Sequence, residues 1–77
     1  MVRVYVGAGR DVGIRPGDLV GAIANEARLN SKVIGAIAIE DRFSIVDVPE
    51  SMARGIVEVL SRSRIKGRKV TVRLFRD

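Results

Sequence analysis

The sequence predicts an α+β fold of βαββαβ order: a ferredoxin-like sandwich in which two helices cover one face of a four-stranded antiparallel sheet. Three observations predict it. Four segments carry the alternation or the short apolar run of strands, and two segments repeat their apolar residues at helical spacing. Their order along the 77 residues is strand, helix, strand, strand, helix, strand. A chain of this length buries only about 60% of the surface that it exposes when unfolded, enough for one core, so a single domain over residues 1–77 is expected.

Val2, Val4 and Val6 alternate with Arg3 and Tyr5, the period of a half-buried first strand. Gly7, Gly9 and Gly13 then break the pattern into a loop, and the sequence reads them as turn residues needing unusual backbone angles. A helix is expected from Pro16, which suits a first helical position, with Asp18 in the first turn where a carboxylate interacts favourably with the helix dipole. Leu19, Val20, Ile23, Ala24 and Ala27 form its apolar set, Asn25 and Glu26 are read as capping it, and Asn30 and Ser31 close it.

The run 33–39 predicts a second strand, with Val33, Gly35, Ile37 and Ile39 inward and Ile34, Ala36 and Ala38 outward. A tight turn at Asp41 and Arg42 leads to a third strand, 43–48, with Ser44, Val46 and Val48 on one face and Phe43, Ile45 and Asp47 on the other. Pro49 and Glu50 open a second helix whose Ala53, Ile56, Val57 and Leu60 fall at i, i+3, i+4 and i+7. After a turn at Gly67, the segment 69–75 predicts the last strand, with Val70, Val72 and Leu74 inward and Lys69, Thr71, Arg73 and Phe75 outward.

Composition narrows function. With no cysteine and no histidine, the chain lacks thiolate and imidazole metal ligands and the neutral-pH proton shuttle. No apolar run is long enough to span a bilayer and no cleavable leader is evident, so no membrane partner and a cytoplasmic location are expected. The net charge of +5 is concentrated late: from residue 62 onward stand Arg62, Arg64, Lys66, Arg68, Lys69, Arg73 and Arg76 against Asp77 alone. So one-signed a cluster points to phosphate binding, although charge runs also serve simply as solvated faces. If both helices lie on one side of the sheet, Arg3, Tyr5, Ile34, Ala36, Phe43, Ile45, Lys69, Thr71 and Arg73 collect on the other. Rings beside basic side chains suit a single strand, whose bases stack while its phosphates pair.

The stretch Val4-Tyr5-Val6-Gly7-Ala8-Gly9 resembles the first-strand motif of RNA-recognition domains, and residues 42–48 resemble a degenerate form of their third-strand motif. Phe43 keeps the aromatic of that motif. Ile45 and Val48 stand where the family usually has rings, and Asp41 where it usually has a basic residue. A closer similarity covers nearly the whole chain: Gly9-Arg10-Asp11-Val12-Gly13-Ile14-Arg15-Pro16-Gly17-Asp18, Val20-Gly21-Ala22-Ile23-Ala24-Asn25-Glu26, Ile34-Gly35-Ala36-Ile37 and Ile65-Lys66-Gly67-Arg68-Lys69-Val70. These blocks resemble the C-terminal, RRM-like RNA-binding domain of bacterial DEAD-box RNA helicases of the DbpA and CsdA type.

That resemblance implies a fragment of a larger helicase whose ATP-dependent motor lies upstream in the same chain. It further implies a monomeric domain that tethers the motor to structured, ribosomal RNA. No GxxxxGK[ST] phosphate loop occurs in these residues, so no ATP binding, catalytic residue, cofactor or metal is expected of them. The candidate RNA-binding residues are Arg3, Tyr5, Arg10, Arg15, Arg42, Phe43, Lys66, Arg68, Lys69 and Arg73.

Two other readings fit part of the sequence. Residues 6–15 also resemble, loosely, the phosphate loop of acylphosphatases, with Arg15 in the anion-binding role. The asparagine that orients water there is missing from residues 33–40, and Asp11 would repel the anion. The outward apolar residues Ile34, Ala36 and Ile45 instead suit a protein-interaction or dimerisation module.

Overall fold

Alternation of valine with polar or aromatic residues sends Val4 and Val6 of β1 (Val2–Val6) to one side of the sheet, where both are fully buried. In the computed structural model, which describes residues 1–75, the same rule operates in β3 (Ser44–Val48), whose Ser44, Val46 and Val48 are buried. These two strands pair antiparallel along five residues, from Val2 opposite Val48 to Val6 opposite Ser44. β2 (Ile37–Ile39) pairs with the outer side of β3, and the last strand, β6 (Val72–Leu74), pairs with β1, giving the order β2-β3-β1-β6. The predicted α+β sandwich is therefore the observed one.

Two helices supply the second layer. α1 (Pro16–Glu26) starts at the expected proline, and the Asp18 carboxylate accepts a 2.8 Å hydrogen bond from the Arg15 amide, satisfying a backbone donor beside the helix start. Leu19 and Ile23 are its buried residues. α2 (Glu50–Arg62) buries Ala53, Ile56 and Leu60, with Val57 packed at the margin. Each large aliphatic side chain so buried contributes about 1.5–3 kcal/mol of transfer free energy. Ser44 is the buried polar side chain of this core, and its hydroxyl donates to the Ala8 carbonyl at 2.7 Å.

The structure corrects several expectations. Residues Ser31–Val33 form a 3-10 turn, and the second strand begins only at Ile37. Ile34, expected outward, packs against the core, while Ala36 and Ala38 do face out. Among α1 residues, Ala22 joins the core margin and Val20 and Ala24 are only half-buried. Asn25 and Glu26 are exposed, and α1 ends instead with the Ala27 amide bonding to the Ile23 carbonyl.

The largest difference is at the end of the chain. The turn expected at Gly67 is present, but Lys69 does not begin the last strand, and residues 64–69 stand apart from it. They form a separate hairpin of β4 (Arg64–Ile65) and β5 (Arg68–Lys69). Its two-residue turn has positive φ at both positions, Lys66 at 51° and Gly67 at 76°, the signature of a type I′ turn. Buried Ile65 pins the hairpin to the core.

Candidate nucleic-acid interface

Register places the face opposite the helices. Tyr5 stands directly across from Ile45 on one side and Arg73 on the other. Its ring stacks with that of Phe43, centroids 5.6 Å apart and planes 19° from parallel. The Arg73 guanidinium carbon lies 4.5 Å from the Tyr5 ring centroid, within cation–π range. Phe43, Tyr5 and Arg73 thus form one continuous row of flat groups across the sheet. Such a row combines aromatic rings, the groups on which unpaired bases stack, with a guanidinium, a group that pairs with phosphate. Arg3 sits further along the same face, with Nε 3.7 Å from Oδ1 of Asp47 on the neighbouring strand.

A second basic group gathers at one end of the sandwich. β1 ends, β3 and β6 begin and β2 ends at this same edge, because Val6 lies opposite both Ser44 and Val72, and Ile39 opposite Ser44. The β1–α1 loop, the β2–β3 turn and the β4–β5 hairpin therefore crowd together, bringing Arg10, Arg15, Arg42, Arg64, Lys66, Arg68 and Lys69, all exposed, to one edge. Lys66 reaches Asp18 of α1 at 3.7 Å, which clips the hairpin to the helix start.

The β1–α1 loop is held tightly against the β2–β3 turn. Amides of Arg10 and Asp11 donate to the carbonyls of Glu40 and Asp41, each at 2.9 Å, and the Arg10 guanidinium donates to the Ile39 carbonyl at 2.9 Å. This contact needs glycine at position 9, where a Cβ would press into the Glu40 carbonyl and lie 2.7 Å from the Phe43 nitrogen. Gly9 is thus required for close approach and has an ordinary extended φ of −144°. Only Gly13 of the three loop glycines takes a positive φ, 80°.

The ten sequence candidates consequently fall into two sets. Arg3, Tyr5, Phe43 and Arg73 share the sheet face, whereas Arg10, Arg15, Arg42, Lys66, Arg68 and Lys69 share the charged end. Lys69, expected beside Arg73 on one strand, stands instead on the hairpin. Arg76, part of the basic excess in the sequence, lies outside the described residues. Sequence reasoning did not place Asp47 in the site, although its alternation with Phe43 and Ile45 puts it on the same face.

Comparison with known proteins adds independent information. Residues 3–74 match the family model described as the DbpA RNA binding domain. The chain is 39% identical over 74 residues, 96% of its length, to an ATP-dependent RNA helicase DeaD of Mycobacterium tuberculosis. It is 33% identical over 69 residues, 90% of its length, to that of Escherichia coli. It spans 13% and 11% of those relatives. Among solved structures it resembles a Nab3-RRM structure from work on cis-element recognition of non-polyadenylated RNAs, with a TM-score of 0.80 and 17% identity over 99% of this chain and 96% of that one. It also resembles an RNA binding protein PG1, with a TM-score of 0.75 and 21% identity over 100% and 96%. These two likenesses establish the fold.

Proposed function

Because this chain belongs to the DbpA RNA-binding domain family, we propose that it is the appendage by which a DEAD-box ATP-dependent RNA helicase is tethered to structured, ribosomal RNA. The chain itself supplies binding rather than catalysis. Two facts support the larger reading: the relatives that it matches are named as ATP-dependent RNA helicases, and the chain accounts for only about an eighth of their length. On this reading residues 1–77 are one monomeric domain, the motor occupies the rest of the parent chain, and the protein works in the cytoplasm during ribosome assembly.

The observation that carries the proposal is the pairing of a stacked row, Phe43, Tyr5 and Arg73, with a separate edge of exposed arginines and lysines. Structured RNA offers both partners at once, unpaired bases for the row and closely spaced phosphates for the edge. The dimerisation alternative loses one of its three supporting residues, since Ile34 packs into the core.

An NMR titration with structured ribosomal RNA fragments tests the reading. Amide shifts are expected along Tyr5, Phe43 and Arg73 and in segments 9–15 and 63–69. Shifts confined to the outer surfaces of α1 and α2 would overturn the interface. Equal affinity for an unstructured oligouridine of the same length would remove structured RNA as the target.

A further inference from the structure

The end of the open sheet face away from the charged loops holds a depression of about 320 Å³. Its floor is apolar and low because Ala36 and Ala38 present only methyl groups there, beside the aliphatic side chains of Ile37 and Ile45. Arg3, Asp47 and Phe75 line it as well. At the lower end of the roughly 300–1,000 Å³ range of ligand sites, it suits one flat ring system.

Its polar groups are few and specific. Arg3 and Asp47 meet through a single 3.7 Å approach of Nε to Oδ1, longer than a hydrogen bond. Their side chains keep 58% and 30% of their exposure, so the second carboxylate oxygen and the terminal guanidinium nitrogens retain capacity for another partner. A carboxylate beside a guanidinium offers adjacent acceptors next to adjacent donors. Guanine is the base that complements this order, presenting two neighbouring donors, N1–H and N2–H, followed by the O6 acceptor. Adenine, cytosine and uracil each place only one donor group on the Watson–Crick edge.

We propose that this depression is a guanine pocket for an unpaired nucleotide of bound RNA. The ring rests on Ala36, Ala38 and Ile45, Asp47 accepts from N1 and N2, and Arg3 donates to O6. The pocket rests on the RNA-binding reading above and adds base selectivity to it. It lies on the same face as the stacked row, so a strand crossing the row meets it next.

Fluorescence anisotropy of the 77-residue chain tests this, using labelled eight-nucleotide oligouridines with one central guanosine, inosine or adenosine. Inosine lacks only the N2 amine. One hydrogen bond to a charged group corresponds to about a tenfold change in affinity, so the guanosine strand is expected to bind about tenfold more tightly than the inosine strand. Asp47→Asn should bring that ratio to about one. Ala38→Leu, which fills the depression from β2 without altering either charged group, should do the same.

Equal binding of guanosine and inosine by the wild type, with salt-dependent affinity retained, overturns the pocket and leaves RNA binding standing. A preference surviving both variants also overturns it. Failure of the wild type to bind any of these strands or the structured fragments removes the RNA-binding reading and the pocket together.

Discussion

Tyr5 stands on a strand paired on both sides and stacks against Phe43 beneath Arg73, whereas Arg68 and Lys69 stand on a two-residue strand paired only with another two-residue strand. The sheet face therefore offers flat groups at positions fixed by a ladder of backbone hydrogen bonds. The charged end offers long, exposed cations on short elements and loops, of which Arg10, Arg64 and Lys66 are each held by one polar contact. A surface of the first kind discriminates by shape and stacking. One of the second kind attracts phosphate with little regard to base, and its contribution fades as salt rises.

The largest expected effect removes both surfaces together. Ile56 is 1% exposed in the core beneath the sheet, so Ile56→Ala should cost about 2–5 kcal/mol of stability in chemical denaturation. RNA affinity should be lost only in step with the unfolded fraction. A loss under about 0.5 kcal/mol would show that α2 is not packed as described.

The next pair separates the surfaces. Arg15, Arg68 and Lys69 are all exposed, and changing the three to alanine should weaken RNA binding on the order of 100-fold at low salt. It should also flatten the slope of log affinity against log salt by roughly 2 to 3 units, at about 0.7–0.9 for each phosphate contact. Tyr5→Ala should cost about 1–3 kcal/mol for a stacked base with the slope nearly unchanged. If the triple variant keeps its affinity and slope while Tyr5→Ala abolishes binding, the charged end is a solubility feature.

The smallest effect tests how far the hairpin's shape matters to the charged end. Gly67 holds a φ of 76°, and Gly67→Ala should lower stability by about 1 kcal/mol. A larger fall in RNA affinity than in stability would show that the presentation of Arg68 and Lys69, and not charge alone, sets binding.

The elements that the sequence revealed are those whose periodicity has a phase. Val2, Val4 and Val6 against Arg3 and Tyr5, and Ile56 with Leu60 in α2, can be read because polar residues mark the opposite face. The run 33–39 has no polar residue to mark a face, so neither the late start of β2 nor the inward turn of Ile34 was visible. The β4–β5 hairpin was missed because two-residue strands have no period, and its Lys66-Gly67 turn begins with a lysine where asparagine, aspartate or glycine is usual. The ten candidates rest on residue type and strand alternation, and their division between two surfaces is not legible in the sequence, because it depends on where β6 starts. Asp47 looked like an ordinary exposed carboxylate until register set Arg3 beside it.

The bonding of the β1–α1 loop to the β2–β3 turn has a consequence for the order of events in folding. Ser44 to Ala8, Arg10 to Glu40 and Asp11 to Asp41 each join residues some thirty positions apart. The loop therefore cannot take its final path until the β2–β3 hairpin has closed and β1 has docked along it, which makes it a late structure despite its early place in the chain. Its bonded amides, those of Arg10 and Asp11, are accordingly expected to exchange with solvent more slowly than the amides of a free surface loop, which hydrogen exchange would check.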